Sequence, residues 1–391
     1  MKEVYVLATE SAQPIALASL REAFASEGVE LVTGVPDLFF ALRSGETNVE
    51  VRFDPREAGL GWTPDLLTGT DASHALLRKA RGFYRISFEP GKPQASVAVF
   101  EALWCARAIL EQAGEGVLLD VTAFKLHDVE DVVEITELDF DIRDHLTLHA
   151  VEAAQTDTPL WVHSHGMEKF GSRDVEVFHL GEEDLQAAET FLHELCTDLA
   201  FGQSPGLRTL VETSSGKSFM LLPSEEARLS LFGVSAETFE GHEGLFFTVV
   251  SDEGRHTVAE LLRPYRDRFE EESPEEAEEL ARRAAELLPA FKARFLRKGL
   301  MEPITFLVRA PFESHPKGTT VVENLWVELL AWDDDELIGK LVDGGEHTTE
   351  WRKGAHVEFD AASINAIAVS REGRTLEEPE MRALLLAERP S

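Results

Sequence analysis

Apolar residues follow two rhythms along this chain, one of strand length and one of helical spacing. Val4 to Ala8 is an unbroken strand-length run, and Ile15 to Glu27 carries Ala16, Leu17, Leu20, Ala23 and Phe24 on one helical stripe ended by Gly28. Strands are predicted at Leu38 to Leu42 and Val49 to Phe53, around a Ser44-Gly45-Glu46-Thr47-Asn48 turn. A second unit repeats the order, with a strand at Phe83 to Phe88, a helix over Ala95 to Gln112 stopped by Gly114, and a strand at Val117 to Val121. Two β-α-β-β units of this kind predict a ferredoxin-like sandwich, although no residue-level repeat marks a duplication.

Short strands return between Leu146 and Leu180, among them Leu160 to Val162 and Val175 to Phe178, broken by Gly166 and Gly171. The helix predicted over Glu182 to Leu199 gathers Leu185, Ala188, Phe191, Leu192, Leu195 and Leu199 on one face, with Gly202 just beyond. Gln203-Ser204-Pro205-Gly206 is the best boundary signal. Beyond it the pattern predicts a hairpin from Leu210 to Leu222 around Ser215-Gly216, then a short helix from Ser224 to Gly233. A long amphipathic helix starts at Ser273-Pro274-Glu275-Glu276, whose cap, first-turn proline and acidic third position form a capping box. Its apolar stripe runs from Ala277 through Leu280, Ala281, Ala284, Leu288 and Phe291 to Phe295, and Gly299 ends it. Acid clusters early and base late, as the helix dipole favours.

Five strands are predicted in the last module: Ile304 to Arg309, Asn324 to Trp332, Glu336 to Val342, Ala355 to Phe359 and Ile364 to Val369. That density implies a small SH3-like barrel or a curled sheet. The whole reads as an α+β chain in three parts: a sandwich over 1–205, a middle α+β segment with the linking helix over 206–299, and a β-rich module over 300–391.

Charge narrows the partners. The chain has 391 residues, 72 acidic against 37 basic, for a formal net charge of -35. Such a surface repels a phosphate backbone and anionic lipid, so neither nucleic acid nor a membrane is expected, and a charged protein partner should be basic. Two distant cysteines, Cys105 and Cys196, each in a predicted helix, fit a reducing compartment and two core thiols. The N-terminus reaches Glu10 before any long apolar run, so no signal peptide is expected, and no apolar stretch is long enough to span a bilayer. The expected location is cytoplasmic. Nothing in the pattern calls for a cofactor or sets an oligomeric state.

His163-x-His165 is the sharpest chemistry in the chain, because two rings spaced by two in a strand share a face and can share a metal. Further ligands would have to come from elsewhere, with His145, His149 and His179 as the candidates. Among 13 histidines a chance pair at this spacing is expected, so a structural pair is the first reading and a metal site the second. Ser214-Ser215-Gly216-Lys217-Ser218 resembles the end of a phosphate loop, but Val211 stands where the motif needs Gly and a strand follows, which makes it a hairpin turn. His193-Glu194 lacks the second histidine of a helical zinc protease, since Thr197 takes its place. No nucleophile elbow, paired Cys-x-x-Cys or dinucleotide glycine fingerprint is present.

Asp333-Asp334-Asp335 reads as a charged turn first and a cation or partner site second, because a loop cation site spaces its ligands. Trp326 and Trp332, six apart, should share one face of a strand and fill the module's core, or form a binding platform if exposed. Trp351, after a glycine-containing loop, has the better claim to a surface, partner-binding role.

Two resemblances follow from these segments. Phe306-Leu307-Val308-Arg309-Ala310-Pro311-Phe312, Glu323-Asn324-Leu325-Trp326-Val327-Glu328, Ile338-Gly339-Lys340-Leu341, Trp351-Arg352-Lys353-Gly354 and Val357-Glu358-Phe359 resemble, in order and spacing, the YegJ-like bacterial family of unknown function. Asn324 stands where that family's pattern suggests His, and Ile367-Ala368-Val369 replaces its Asp-Trp ending, so any pocket built on those groups is altered here. The segment from Ala95 to Leu199, through Trp161-Val162-His163-Ser164-His165-Gly166-Met167-Glu168-Lys169-Phe170-Gly171, is similar to another bacterial family of unknown function. Such families imply immunity-type or accessory roles in bacterial conflict, and they carry no catalytic residue onto this chain. The function expected from sequence is therefore a non-enzymatic, protein-binding protein. A metal-dependent hydrolase using His163 and His165 is the alternative.

Overall fold

A computed structural model describes residues 2–25, 29–44, 47–55, 67–89, 95–152, 159–203, 207–208, 210–212, 218–228, 244–251, 257–266, 274–298, 302–315, 320–342, 344–345, 351–371 and 374–386. The chain divides into two compact units, one of residues 1–137 and 141–270 and one of 138–140 and 271–391. The expected α+β class holds in both.

The first unit opens with β1 (Lys2–Thr9), α1 (Leu17–Ala25), β2 (Glu30–Val32), β3 (Phe40–Ser44), β4 (Thr47–Pro55), α2 (Asp71–Lys79), β5 (Gly82–Phe88), α3 (Ala95–Ala113), β6 (Gly116–Asp120), β7 (Lys125–His127) and α4 (Val129–Glu137). Its seven strands form one sheet in the order β2-β3-β4-β5-β1-β6-β7, with every neighbouring pair antiparallel. β5 and β6 flank β1 and are joined through α3, while β1 and β4 flank β5 and are joined through α1 and the β2–β3 hairpin. The two predicted ferredoxin-like units are therefore interlocked in one sheet, each lending a strand to the other's split crossover. The core strands are apolar on both faces, and Val4 to Leu7 are fully buried. The sequence pattern passed over α2, which is short and polar but is fixed by Thr70, whose hydroxyl accepts from the Ser73 backbone at 3.0 Å.

The same unit continues with α5 (Ile142–His145), β8 (Thr147–Glu152), β9 (Leu160–His165), β10 (Asp174–Leu180), α6 (Leu185–Ala200), β11 (Val211–Glu212), β12 (Ser218–Pro223), the short turn of helix α7 (Ser224–Ala227), β13 (Phe246–Ser251) and α8 (Val258–Arg266). Its second sheet has the order β11-β12-β13-β10-β9-β8. Among the described residues the only parallel pairing between its strands is β10 with β13, so α6 serves as part of the crossover that a parallel pair requires. The sequence boundary at 205/206 falls inside this sheet, because β12 and β13, beyond it, pair with each other and through β13 with β10. α6 buries Ala187, Ala188, Phe191, Leu192, Leu195, Cys196 and Leu199, most of the predicted stripe, and packs against β9, β10 and α8. Gly28, Gly45, Gly206, Gly233, Ser273, Gly299 and the Ser214 to Lys217 turn lie outside the described residues.

The second unit has α9 (Pro274–Leu296), then β14 (Ile304–Ser314), β15 (Val321–Asp333), β16 (Glu336–Leu341), β17 (His356–Asp360), β18 (Ala366–Arg371), β19 (Arg374–Thr375) and α10 (Glu378–Leu386). The five predicted strands are all present in one open sheet, ordered β17-β16-β15-β14-β18-β19, so the sheet form holds and no barrel closes among the described residues. Leu287 and Phe291 of α9 and Met381 and Leu385 of α10 join its core with Phe306, Val308, Val327 and Leu337. Trp326 and Trp332 do not share a face. A bulge between Leu329 and Ala331 adds a residue to β15, so Leu325, Val327 and Leu329 point inward with Trp332, and Trp326 points out beside Arg309, 6.0 Å from its ring. Trp351 is half-buried on the core, its ring 5.2 Å from Phe312, with its indole nitrogen shielded from solvent. Asp333, Asp334 and Asp335 form the exposed hairpin turn, and the Asp334 carbonyl accepts from the Trp332 indole at 3.1 Å.

Candidate metal centre

Strand register assembles the centre. β8 and β9 are antiparallel with His149 directly opposite His163, and His165 follows two residues on, on the same face. One nitrogen from each of the three rings lies within 4.8 Å of the other two. Ring centroids are 5.6 Å apart for His149 and His163, 4.9 Å for His149 and His165, and 5.0 Å for His163 and His165. Tetrahedral zinc with bonds of about 2.0 to 2.1 Å sets its nitrogens roughly 3.3 Å apart, so small rotations of the side chains close the set around an ion. Three imidazoles suit zinc, copper or nickel rather than the hard, oxygen-seeking magnesium and calcium. They fill three tetrahedral positions and leave the fourth for water or a substrate atom.

The surroundings are aromatic. Trp161 stacks on His163 at 4.0 Å and 26°, and Phe178 stacks on Trp161 at 5.4 Å and 4°. The Phe246 ring meets His163 edge-on at 5.7 Å, and Phe124 meets His165 at 5.3 Å. His163 is fully buried, with His149 and His165 half-buried beside it. A shell of this kind holds ring orientations and limits solvent access.

An ionic group lies in the same row. Glu176 of β10 pairs with His163 in register and, on its other side, with Thr248 of β13. Its carboxylate has no solvent exposure and accepts from Arg228 at 3.1 and 2.5 Å and from the Thr248 hydroxyl at 2.6 Å. The Arg228 guanidinium also sits over the rings of Trp161, at 5.3 Å, and Phe246, at 5.0 Å.

The turn after β9 is anchored from below. Gly166 has a φ of +126°, and a side chain there would stand 2.5 Å from the His145 carbonyl. The following turn of Met167–Phe170 brings Lys169 into the interior, where its ammonium donates to Asp120 at 2.7 Å, to Thr122 at 3.3 Å and to the His145 carbonyl. Lys169 and Asp120 are 0% and 1% exposed. Asp120 also accepts from the Thr122 and Ala123 backbones, so both charges are saturated. Tyr5, opposite Asp120 on β1, has its phenol pushed well above the ordinary range by burial and by that carboxylate. Asp174 accepts from the Ser164 hydroxyl and the Met167 backbone, both at 3.1 Å, and burial raises its pKa to about 6.

Of the candidate extra ligands, the structure brings in His149. His145 is in the chain just before β8 with its ring against Phe170 at 5.7 Å, and burial followed by the charge of Lys169 holds it well below the usual histidine range. His179 occupies a left-handed position, φ 62°, at an irregularity of β10, and neither it nor His145 belongs to the cluster. Both cysteine thiols are buried and pushed upward by that burial, which fits their expected core role. Sequence reasoning missed Glu176, Arg228, Asp120 and Lys169. Glu176 sits in an alternating strand pattern whose polar positions normally face water, and Lys169 follows Glu168 in what reads as a solvated turn. No protein-family model matches the chain, and no curated protein and no solved structure matches it, so the centre is interpreted from its own geometry.

Proposed function

We propose that the chain is a transition-metal protein in which His149, His163 and His165 hold a divalent ion of the zinc type. The observation that carries this reading is the convergence of three imidazole nitrogens within 4.8 Å, from two adjacent strands in register. When bound, such an ion with an open position supplies Lewis acidity, which favours hydrolysis as the reaction served. The chain's own residues orient the rings through Trp161, Phe178 and Phe246 and keep bulk water from His163. Metal analysis of purified full-length chain, before and after zinc loading and dialysis, tests it. About one equivalent is expected, lost in His149→Ala and His163→Ala. Less than about a tenth of an equivalent after loading overturns the reading.

The protein-binding reading has one observation of its own. The outward face of the β14–β17 sheet exposes Val322 and Ile338 at 58% and 41%, towards opposite ends of β15 with outward-facing Trp326 between them. Such apolar exposure on a sheet face suits a partner surface, and the chain's charge favours a basic partner. Affinity capture with the wild type and with Val322→Asp, Ile338→Asp tests this; an identical set of captured proteins removes the reading.

A further inference from the structure

The metal centre, on the reading proposed above, raises a question of charge. Three neutral imidazoles bring no negative charge, so a divalent ion adds two positive charges to a buried, aromatic-lined place. Unbalanced charge there is costly, and metal centres draw compensation from carboxylates just beyond the ligands. Glu176 holds that position. The row His149, His163, Glu176, Thr248 crosses four neighbouring strands with all four residues in register on one face. Directly opposed residues carry Cβ atoms about 4.5 to 5.5 Å apart, which places the Glu176 side chain next to the His163 ring.

We infer that Glu176 is the charge-compensating carboxylate of the metal centre and that Arg228 competes with the ion for it. Arg228 neutralises Glu176 through two hydrogen bonds while lying over Trp161, the ring stacked on His163. An arriving ion gains from the Glu176 charge and is opposed by the Arg228 charge. Of the pair, Glu176 is wholly enclosed, whereas Arg228 keeps 15% of its side chain exposed. Arg228 is therefore the member that can shift toward solvent when the ion binds. Metal affinity is set by how firmly Arg228 holds Glu176, and anything that draws Arg228 away tightens the site.

The two partners of one ion pair should thus act in opposite directions, which a purely structural pair would not do. Zinc and cobalt(II) titrations of the metal-free full-length chain read this, with cobalt absorption reporting the coordination sphere. Glu176→Gln should weaken binding about 10- to 100-fold. Arg228→Gln should tighten it by up to about tenfold, even though it destabilises the metal-free fold. Thr248→Val, which removes a neutral hydrogen bond to the same carboxylate, should stay within about threefold and shows what disturbed packing alone does. If Glu176→Gln does not fold, the direction of Arg228→Gln still decides. Weakening by Arg228→Gln, or no change in either variant of the pair, overturns the inference while leaving the three-histidine site standing. A wild-type chain that takes up neither ion overturns the site itself, and this inference with it.

Discussion

Gly166 carries a tight backbone constraint near the centre, since its φ of +126° and the His145 carbonyl 2.5 Å from an added Cβ would strain any other residue. Gly166→Ala should cost about 2 to 4 kcal/mol in urea unfolding, through strain plus displacement of the carbonyl that Lys169 holds. His193 gives a pH prediction of defined sign. Burial first, then the charge of Arg143, lowers its pKa from 6.5 to about 4. Below pH 6.5 the unfolded chain takes up a proton that the folded chain refuses until about pH 4, so this residue's share of stability is present above 6.5 and lost as pH falls through that window. His193→Gln should flatten the stability profile between those pH values by about 3 kcal/mol, and an unchanged slope would show that His193 titrates normally in the fold. At the same scale, one bulge residue decides which tryptophan of β15 packs inward, and no periodicity of the sequence announces a bulge.

At the scale of elements, the strands were legible where alternation was strong. All five predicted strands of the last module are present, and the long helix lies where its apolar stripe indicated. The His163 and His165 pair was legible as a shared face, because side-chain direction in a strand depends only on spacing. Their third member was not, because the choice among His145, His149 and His179 depends on which residue of β8 stands opposite His163. Register is a property of two strands together. The 205/206 division lies between α6 and β11 yet inside one sheet for a similar reason: the parallel pairing of β10 and β13 joins strands across the Ser-Pro-Gly signal. Buried charge was hidden too, since nothing local in Glu168-Lys169-Phe170 tells that the lysine enters the interior to meet Asp120 from a distant strand. That pair ties the turn after β9 to the end of β6. Lys169→Met should cost about 3 to 5 kcal/mol by leaving Asp120 buried without its cation, and Lys169→Met with Asp120→Asn should recover a substantial part. A double-mutant cycle by chemical denaturation measures it. Additive losses would show that the two side chains act independently.

Across the whole molecule the acidic excess acts on everything the centre does. A formal charge of -35 repels itself in the compact state and draws in cations of any kind, so raised stability on adding zinc is not by itself a sign of the histidine site. The two effects separate by screening and by donor type. Raising salt from about 10 mM to about 150 mM shortens the Debye length from about 30 Å to about 8 Å, and the melting temperature should climb with it as carboxylate repulsion is screened. Magnesium should reproduce that climb through the acidic surface but should not bind the imidazole set. With about 150 mM salt and excess magnesium present, zinc at 100 times its dissociation constant should still add up to about 2.7 kcal/mol to the unfolding free energy, the full value being reached when the unfolded chain does not bind the ion. His149→Ala should abolish that increment and keep the salt and magnesium responses intact. If zinc stabilises wild type and His149→Ala alike under these conditions, the ion acts on the acidic surface and the three histidines hold no metal.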